Sequence, residues 1–250
     1  MRTHKLLASL AAFVLMAAAT LVTLQAKTST ITGGRGAEKS SLAPSSRIRE
    51  PLNLAILIQD DLVSRVGNEL NVTREFIRAL PGGSRVMVGY ITSGTLQVRQ
   101  QFTTDLERAA KSLRIPTGST AASPYNPYVE VREALRRFDT EGTNRNALLL
   151  ISDGLDVSRG FDFSSSVNSI DLERAIREAK SREVAIYSFY APSVGLTSWN
   201  RRAVSFGQSA LNRLADETGG EAFFQGTSFV TFNSYFNKLG QTINKQHATE

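Results

Sequence analysis

Cysteine is absent from the 250-residue chain, and histidine occurs only twice, at His4 and His247. The lack of cysteine excludes disulfides, thiolate zinc sites and cysteine nucleophiles. With one histidine close to each end of the chain, we expect neither a Ser-His-Asp triad nor a histidine-rich metal site. Chemistry at a site is therefore expected mainly from carboxylates, hydroxyls and amides.

Long runs of positive charge are also absent. The formal net charge is +6, but no run of Lys and Arg is longer than two residues, at Arg136-Arg137 and Arg201-Arg202. Two of the positive charges in this total, Arg2 and Lys5, belong to the start of the chain. Without a dense basic stripe that carries aromatic residues, we expect no nucleic acid among the partners.

The first 26 residues have the pattern of a secretory leader. A short basic start, Met1 to Lys5, precedes an apolar run from Leu6 to Leu24, and a cleavage motif follows it. We predict that residues 1–26 are a signal peptide or, because the apolar run is long, an uncleaved N-terminal anchor. Either alternative predicts an extracytoplasmic protein, periplasmic or secreted, with membrane contact only through an uncleaved leader.

A linker and one domain are predicted to follow the leader. Residues 27–50 are rich in Ser, Thr, Gly, Ala and Arg and have little periodicity, which is typical of a flexible linker. Residues 51–247 alternate strand-like and helix-like segments. This alternation predicts an α/β domain with a mostly parallel, doubly wound sheet and helices on both faces.

Two apolar runs in this domain each end in acid. Leu54–Gln59 is followed by Asp60-Asp61, and Ala147–Ser152 is followed by Asp153-Gly154. Unbroken apolar runs are typical of central parallel strands that are buried on both faces. Ligands of such sheets bind beyond the carboxyl ends of the strands, where the strand order reverses. The two acidic strand ends are therefore a candidate cation site.

One antiparallel strand is expected at the edge of the sheet, because Arg85–Ile91 and Leu96–Phe102 flank the turn Thr92–Thr95 as in a hairpin. Later strands are predicted at residues 184–190 and 221–224. Amphipathic helices are predicted near residues 66–80, 104–113, 128–138, 172–182, 210–218 and 229–243.

This order of elements resembles a von Willebrand factor A (vWA) domain over about residues 51–245. The resemblance rests on the apolar first strand, the hairpin and the Gly/Ser/Thr loop at residues 116–127. It rests also on the run Leu148-Leu-Leu-Ile-Ser-Asp-Gly154 and on the late segment Leu214–Phe224. More narrowly, the chain is similar to secreted bacterial vWA-related proteins. The resemblance implies a vWA/Rossmann-like fold, a protein or peptide ligand, and no catalytic residues, because vWA domains mostly bind proteins.

The resemblance also implies a metal-ion-dependent adhesion site for Mg²⁺ or Mn²⁺. In the family an Asp-x-Ser-x-Ser motif follows the first strand, a Thr comes from the middle loop, and an Asp follows the fourth strand. The present sequence departs from this motif. If the apolar run sets the register, Gln59 takes the Asp position, and Asp61 and Val63 take the two Ser positions.

If the following helix sets the register, Asp60 takes the Asp position, and Leu62 and Ser64 take the Ser positions. Leu62 offers no side-chain oxygen to a hard cation, and neither register supplies a complete set of ligands. We favour the second register because it keeps the Asp60 carboxylate and the Ser64 hydroxyl.

The remaining predicted ligands are Asp153 and a loop hydroxyl, Ser123 or Thr120, of which Ser123 is favoured because it precedes a helix more closely. The predicted metal ligands are thus Asp60, Ser64, Ser123, Thr120 and Asp153, with Asp156 near them. Turn chemistry at Asp153-Gly154 and helix capping by Asp60 are the competing structural interpretations.

These observations predict an extracytoplasmic protein-binding module, for adhesion or assembly, that uses the carboxyl end of its sheet and a degenerate metal site. Two alternatives stay open. One is an Mg²⁺-dependent phosphoryl hydrolase with Asp60 or Asp61 as the nucleophile. The other is a metal-free structural protein of the cell envelope.

Overall fold

The computed structural model describes residues 47–139, 144–161, 169–224 and 231–247, all of which belong to one unit that spans Lys39–Glu250. The strands are β1 (Leu52–Gln59), β2 (Arg85–Thr92), β3 (Thr95–Thr103), β4 (Arg145–Ser152), β5 (Val184–Tyr190) and β6 (Ala222–Phe223). The helices are α1 (Val66–Arg78), α2 (Leu106–Lys111), α3 (Pro127–Leu135), α4 (Ile170–Ser181), α5 (Arg201–Glu217) and α6 (Phe232–His247). The predicted leader, and the linker up to residue 46, lie outside the described residues.

The six strands form one sheet in the order β3-β2-β1-β4-β5-β6. Strand β1 pairs in parallel with both β2 and β4, and β3 pairs antiparallel with β2 at the edge. The chain therefore builds the sheet outward in one direction from β1 and in the other direction from β4. The predicted fold class, a doubly wound and mostly parallel sheet with one antiparallel edge strand, is confirmed.

Strand β1 is buried along its full length because helices cover both faces of the sheet. On one face, Ile56 and Ile58 pack in a core with residues of α1 and α6, such as Phe76 and Phe236. On the other face, Leu57 belongs to a second core with residues of α3, α4 and α5. Each fully buried side chain of this size contributes about 1.5–3 kcal/mol through the hydrophobic effect.

Helix α5 begins at Arg201, nine residues before residue 210, where the sequence predicted its start. The side chain of Asn200 caps it, accepting hydrogen bonds from the backbone N–H groups of Arg202 (3.0 Å) and Ala203 (3.2 Å). Such a cap satisfies amides that have no partner within the first turn of a helix.

Among the described residues, no helix has the length and apolar character needed to span a bilayer.

The chain approaches the sheet along the C-terminal part of α6. Ile48 is buried, and the Arg49 amide donates to the Asn244 side chain over 3.1 Å. The Asn244 side chain in turn donates to the backbone oxygen of Arg47 over 2.8 Å. These contacts lie beside the first residues of β1 and β4, at the amino end of the sheet. The opposite, carboxyl end carries the acidic residues.

Candidate functional site

An open cleft of about 260 Å³ lies over the carboxyl ends of β1 and β4. Four loops form its walls, and they follow β1, α2, β4 and β5. The residues that line it are Gln59, Asp61, Thr120, Ser123, Pro124, Tyr125, Asp153, Leu155, Val157, Ser193, Gly195 and Leu196. Because the sheet is built outward in opposite directions from β1 and β4, the cleft occupies the position where doubly wound folds bind ligands.

Gln59 joins the ends of the two central strands. Its Oε1 accepts hydrogen bonds from the Ser152 hydroxyl and from the backbone amide of Asp153, the latter over 3.3 Å. Its Nε2 donates to Oδ1 of Asp61 over 2.7 Å. The amide of Gln59 therefore holds the Asp61 carboxyl close to the end of β4.

Asp61 is a floor residue of the cleft and is 2% exposed. Burial and the nearby charge of Asp153 raise the pKa of Asp61 to about 6, although the Gln59 amide and the Ser123 hydroxyl partly oppose the shift. Both of these side-chain donors are neutral. Asp61 therefore pays a desolvation cost that no cation among the described residues offsets.

Asp153 is the second acid of the floor and is 4% exposed. Its Oδ1 accepts from the Leu155 amide over 3.2 Å, and its Oδ2 accepts from the Thr197 hydroxyl over 3.0 Å. Burial raises the pKa of Asp153, and the hydroxyls of Ser193 and Thr197 offset only part of that shift. The carboxyl is thus held in one orientation by neutral donors.

The loops after β1 and β5 are joined above Asp153. The Val63 amide donates to the Pro192 backbone oxygen over 3.0 Å, and the Val194 amide donates to the Asp61 oxygen over 2.9 Å. Since β4 lies between β1 and β5, this backbone bridge crosses the end of β4. It accounts for the low exposure of Asp153 at an otherwise open edge.

Asp60 does not face the cleft, and this corrects the favoured register. Its two carboxylate oxygens accept hydrogen bonds from the Arg114 guanidinium over 2.6 and 2.8 Å, and Oδ1 also accepts from the Thr117 amide over 3.0 Å. Burial alone would raise the pKa of Asp60, but Arg114 and Thr117 together lower it. In the turn that follows β1, Asp61 and not Asp60 lines the cleft together with Asp153.

Ser64, the other member of that register, is exposed in the turn before α1 and does not line the cleft. The structure instead brings Gln59 and Asp61 to the end of β4, in the register that starts at Gln59. Leu62 is fully buried and Val63 is half-buried.

The loop between α2 and α3 supplies the remaining predicted residues. Ser123 and Thr120 both line the cleft, and Ser123 is the one that interacts with Asp61. Tyr125 forms part of the rim, is 61% exposed and has a positive φ of 59°. Asp156 lies apart from the floor, where it accepts from Ser158 and from Ser169, the residue that caps α4.

Structures with the same fold come from two Bacteroides proteins. BatB from Bacteroides thetaiotaomicron is 11% identical, with a TM-score of 0.52 over 79% of this chain and 99% of that one. An aerotolerance-related membrane protein from Bacteroides fragilis is 14% identical, with a TM-score of 0.50 over 78% and 99% of the two chains. A third structure, the SpRpn10 VWA domain, is 12% identical, with a TM-score of 0.48 over 77% and 98%.

The strand order and the two Bacteroides structures agree with the topology that the sequence resemblance implies. The fold is vWA-like. No protein-family profile matches the sequence, and no curated protein matches it significantly. At 11–14% identity these structures establish the fold of the chain and not its ligand.

The floor of this vWA-like domain does not fit a complete Mg²⁺ or Mn²⁺ shell. Gln59 stands where the family has an acid, and its oxygen already accepts two hydrogen bonds. Val63 offers no oxygen. In the part of the chain that the structure describes, no group of three or more acidic or histidine side chains could hold a metal ion. Mg²⁺ completes its shell with waters around one or two carboxylates, so the mismatch lies in the family ligands missing at positions 59 and 63 and not in the number of carboxylates.

Arg114 and Thr197, which hold Asp60 and Asp153, were not identified from the sequence. Arg114 forms an ion pair with Asp60 from a position 54 residues further along the chain. Its only sequence signal was its place just before the Gly/Ser/Thr loop at residues 116–127. Thr197 orients Asp153 from a short 3₁₀ turn, Leu196–Ser198. The sequence signal for Thr197 was its position in the loop after β5, which lies at the same end of the sheet.

Proposed function

We propose that this chain is an extracytoplasmic protein-binding module, for adhesion or assembly, that engages its partner in the cleft at the carboxyl end of the sheet. The observation that carries the proposal is the open cleft at the point where the strand order reverses, with polar floor residues held rigidly by neutral hydrogen bonds. Function at such a point of a doubly wound sheet follows the general rule for these folds. The predicted leader supports a location outside the cytoplasm.

The rim of the cleft supports a protein partner rather than a small metabolite. Tyr125 on the rim is 61% exposed, and Trp199, three residues after the cleft residue Leu196, is 72% exposed. The exposure of an aromatic ring to water is unfavourable, and aromatic residues are enriched at the centres of protein interfaces. Two of them close to one cleft favour a binding surface.

Metal binding by the predicted ligands is not needed for this function. Asp153, Ser123 and Thr120 line the cleft, whereas Asp60 and Ser64 do not. We propose that the first three, with Asp61, act as contact residues for the partner. The incomplete set of metal ligands favours the metal-free form of the module, including an assembly role in the envelope.

A phosphoryl hydrolase receives no support from the arrangement of the two adjacent acids. Both oxygens of Asp60 accept hydrogen bonds from Arg114, so that carboxylate is not free to attack. No Lys, Arg or His is among the described residues that line the cleft with Asp61. A nucleophilic carboxylate would also need an electrophilic clamp for phosphate oxygens. We therefore propose no catalytic residue.

Affinity capture from cell-envelope extract tests the proposal. The full-length chain in detergent should retain a specific protein, and Tyr125→Ala should reduce its recovery at least fivefold. The matched control is Phe102→Ala, which also removes an aromatic ring but lies on the edge strand β3, in contact with Phe138. Equal recovery by wild type and Tyr125→Ala would show that the cleft is not the binding surface.

A further inference from the structure

The strongest unexplained feature of the site is the negative charge of its two buried carboxylates. Asp61 and Asp153 are both more than 95% buried and both line the cleft. The side-chain donors on Asp61 are the Gln59 amide and the Ser123 hydroxyl. Asp153 receives the Leu155 amide and the Thr197 hydroxyl. Every one of these donors is neutral.

A cation is absent from the floor as far as the described residues show. The ion pairs among them include Arg114 with Asp60, but no Lys or Arg is paired with Asp61 or Asp153. Buried carboxylates in proteins are normally paired with a cation or coordinated to a metal. These two, by contrast, open onto a cleft that solvent and ligands can enter.

The walls of the cleft suit an aliphatic stem with a charged tip. Leu155, Val157, Leu196 and Pro124 supply apolar surface between the rim and the floor. Long basic side chains bury their methylene groups against such surface while the charged group finds polar partners. The exposed ring of Tyr125 on the rim adds a π face, which attracts cations.

We propose that the cleft receives one basic side chain, lysine or arginine, of the partner protein, with its charged group placed between Asp61 and Asp153. The inference rests on the proposed protein-binding function and names the chemistry of its contact. An ammonium group has three donors, and the two carboxylates and the Ser123 hydroxyl offer three acceptors. Asp61 and Asp153 can accept the hydrogen bonds of a basic group directly, whereas Mg²⁺ at the same place would need several waters as further ligands.

Short peptides test this contact directly on the full-length protein. The probes are acetyl-Gly-Lys-Gly-amide, the arginine analogue, and the norleucine analogue, which keeps the stem but has no charge. We expect the lysine or arginine peptide to shift the amide NMR signals of Asp61, Ser123 and Asp153 in a saturable manner. The norleucine peptide should bind at least tenfold more weakly, and 0.5 M NaCl should weaken the basic peptides because it screens charge.

A variant pair assigns the effect to the floor. Asp61→Asn, a nearly isosteric change, should reduce the affinity for the basic peptide at least tenfold. Glu75→Gln removes the same charge from an exposed position on α1 and should leave the affinity unchanged. The comparison of lysine with norleucine on the wild type keeps the test decisive if Asp61→Asn does not fold.

Several results would overturn the inference. One is equal binding of the norleucine and lysine peptides. Another is a shift of the same amide signals by 5 mM MgCl₂ but not by a basic peptide. A third is a shift that grows with protein concentration alone, as expected if a second copy of the chain occupies the cleft. If envelope capture depends on Tyr125 while no basic peptide binds, the proposed function stands and this inference fails. If capture does not depend on the cleft at all, the proposed function fails first.

Discussion

Asp60 and Arg114 form a bidentate ion pair with oxygen–nitrogen distances of 2.6 and 2.8 Å, and the same guanidinium lies 4.0 Å from the centre of the Tyr90 ring. The Tyr90 hydroxyl in turn donates to the backbone oxygen of Arg114. The pair fastens the loop after α2 to the end of β1. It therefore fixes the loop that carries Ser123 without taking part in the floor of the cleft.

Removal of either partner should destabilise the fold. Arg114→Ala leaves Asp60, whose side chain is 3% exposed, without its cation, and we expect a loss of about 2–4 kcal/mol. Because Arg114 and Thr117 lower the pKa of Asp60, its contribution is present above the unfolded pKa and is lost as the pH falls through the folded one. Urea unfolding at pH 7 and pH 3 measures both effects.

The control for this experiment is Arg78→Ala, which breaks an exposed bidentate pair with Glu107. An exposed pair contributes about 0–1 kcal/mol. A loss for Arg114→Ala no larger than that for Arg78→Ala would show that Asp60 is effectively solvated.

Neutralisation of Asp61 should stabilise the protein at neutral pH. Its folded pKa of about 6 lies above the ordinary value of 3.8, so folding favours the protonated form. The stability from this group is full below pH 4 and is lost as the pH rises through about 6, which amounts to about 2–3 kcal/mol. Asp61→Asn should therefore flatten the pH dependence of the free energy of unfolding between pH 4 and 7.

The raised pKa of Asp153 acts in the same direction and should leave a residual slope in Asp61→Asn. Glu75→Gln, on the exposed face of α1, serves as the control and should keep the wild-type profile. If wild type and Asp61→Asn gave parallel profiles, the carboxyl would have an ordinary pKa and the charge argument for the cleft would weaken.

A methyl group added at position 207 should disturb the end of β4, where Asp153 lies. A Cβ at Gly207 would lie 1.9 Å from the backbone oxygen of Asp153, so α5 or the end of β4 would have to move. We expect Gly207→Ala to cost about 3 kcal/mol or more, as overpacking against backbone does. Gly82→Ala is the control, since nothing lies within 4 Å of its Cβ. Thermal unfolding of both variants makes the comparison, and similar midpoints would contradict the close packing.

Divalent metal should have little effect on stability. A ligand that binds only the folded state at 100 times its dissociation constant stabilises it by about 2.7 kcal/mol. With an incomplete shell, we expect 5 mM MgCl₂ or MnCl₂ to raise the melting temperature by less than about 1 °C after treatment with EDTA. A larger rise that disappears in Asp153→Ala would restore the metal site that the sequence resemblance implies.

The sheet could be predicted from local patterns. Strand β5 was predicted with the bounds that the structure shows, Val184–Tyr190, because a run of apolar and aromatic residues, interrupted only by Ser188, lies between polar segments. The first half of α5 was missed because Ser205–Gln208 has little apolar periodicity. The capping residue Asn200 could have indicated the start of the helix from the sequence. The close packing of Gly207 can be recognised only in the structure.

The site could be predicted only in part. Asp153 follows a strand whose end is unambiguous, and its place in the floor followed from the topology. The choice between the register that starts at Gln59 and the favoured one that starts at Asp60 could not be settled, since a shift of one residue exchanges the two sides of a strand. The contact that decides it, Arg114 on Asp60, joins residues 54 positions apart and leaves no periodic signal.

The packing of Arg47 and Arg49 against Asn244 has a practical consequence for how this domain can be attached to a surface. The described chain enters and leaves beside the first residues of β1, whose eight residues span about 26 Å between that end and the cleft. A tether at either end, whether a lipid bilayer, a resin or a fusion partner, therefore holds the domain by the side opposite the aromatic rim. Immobilised protein should therefore keep its cleft accessible to a large partner.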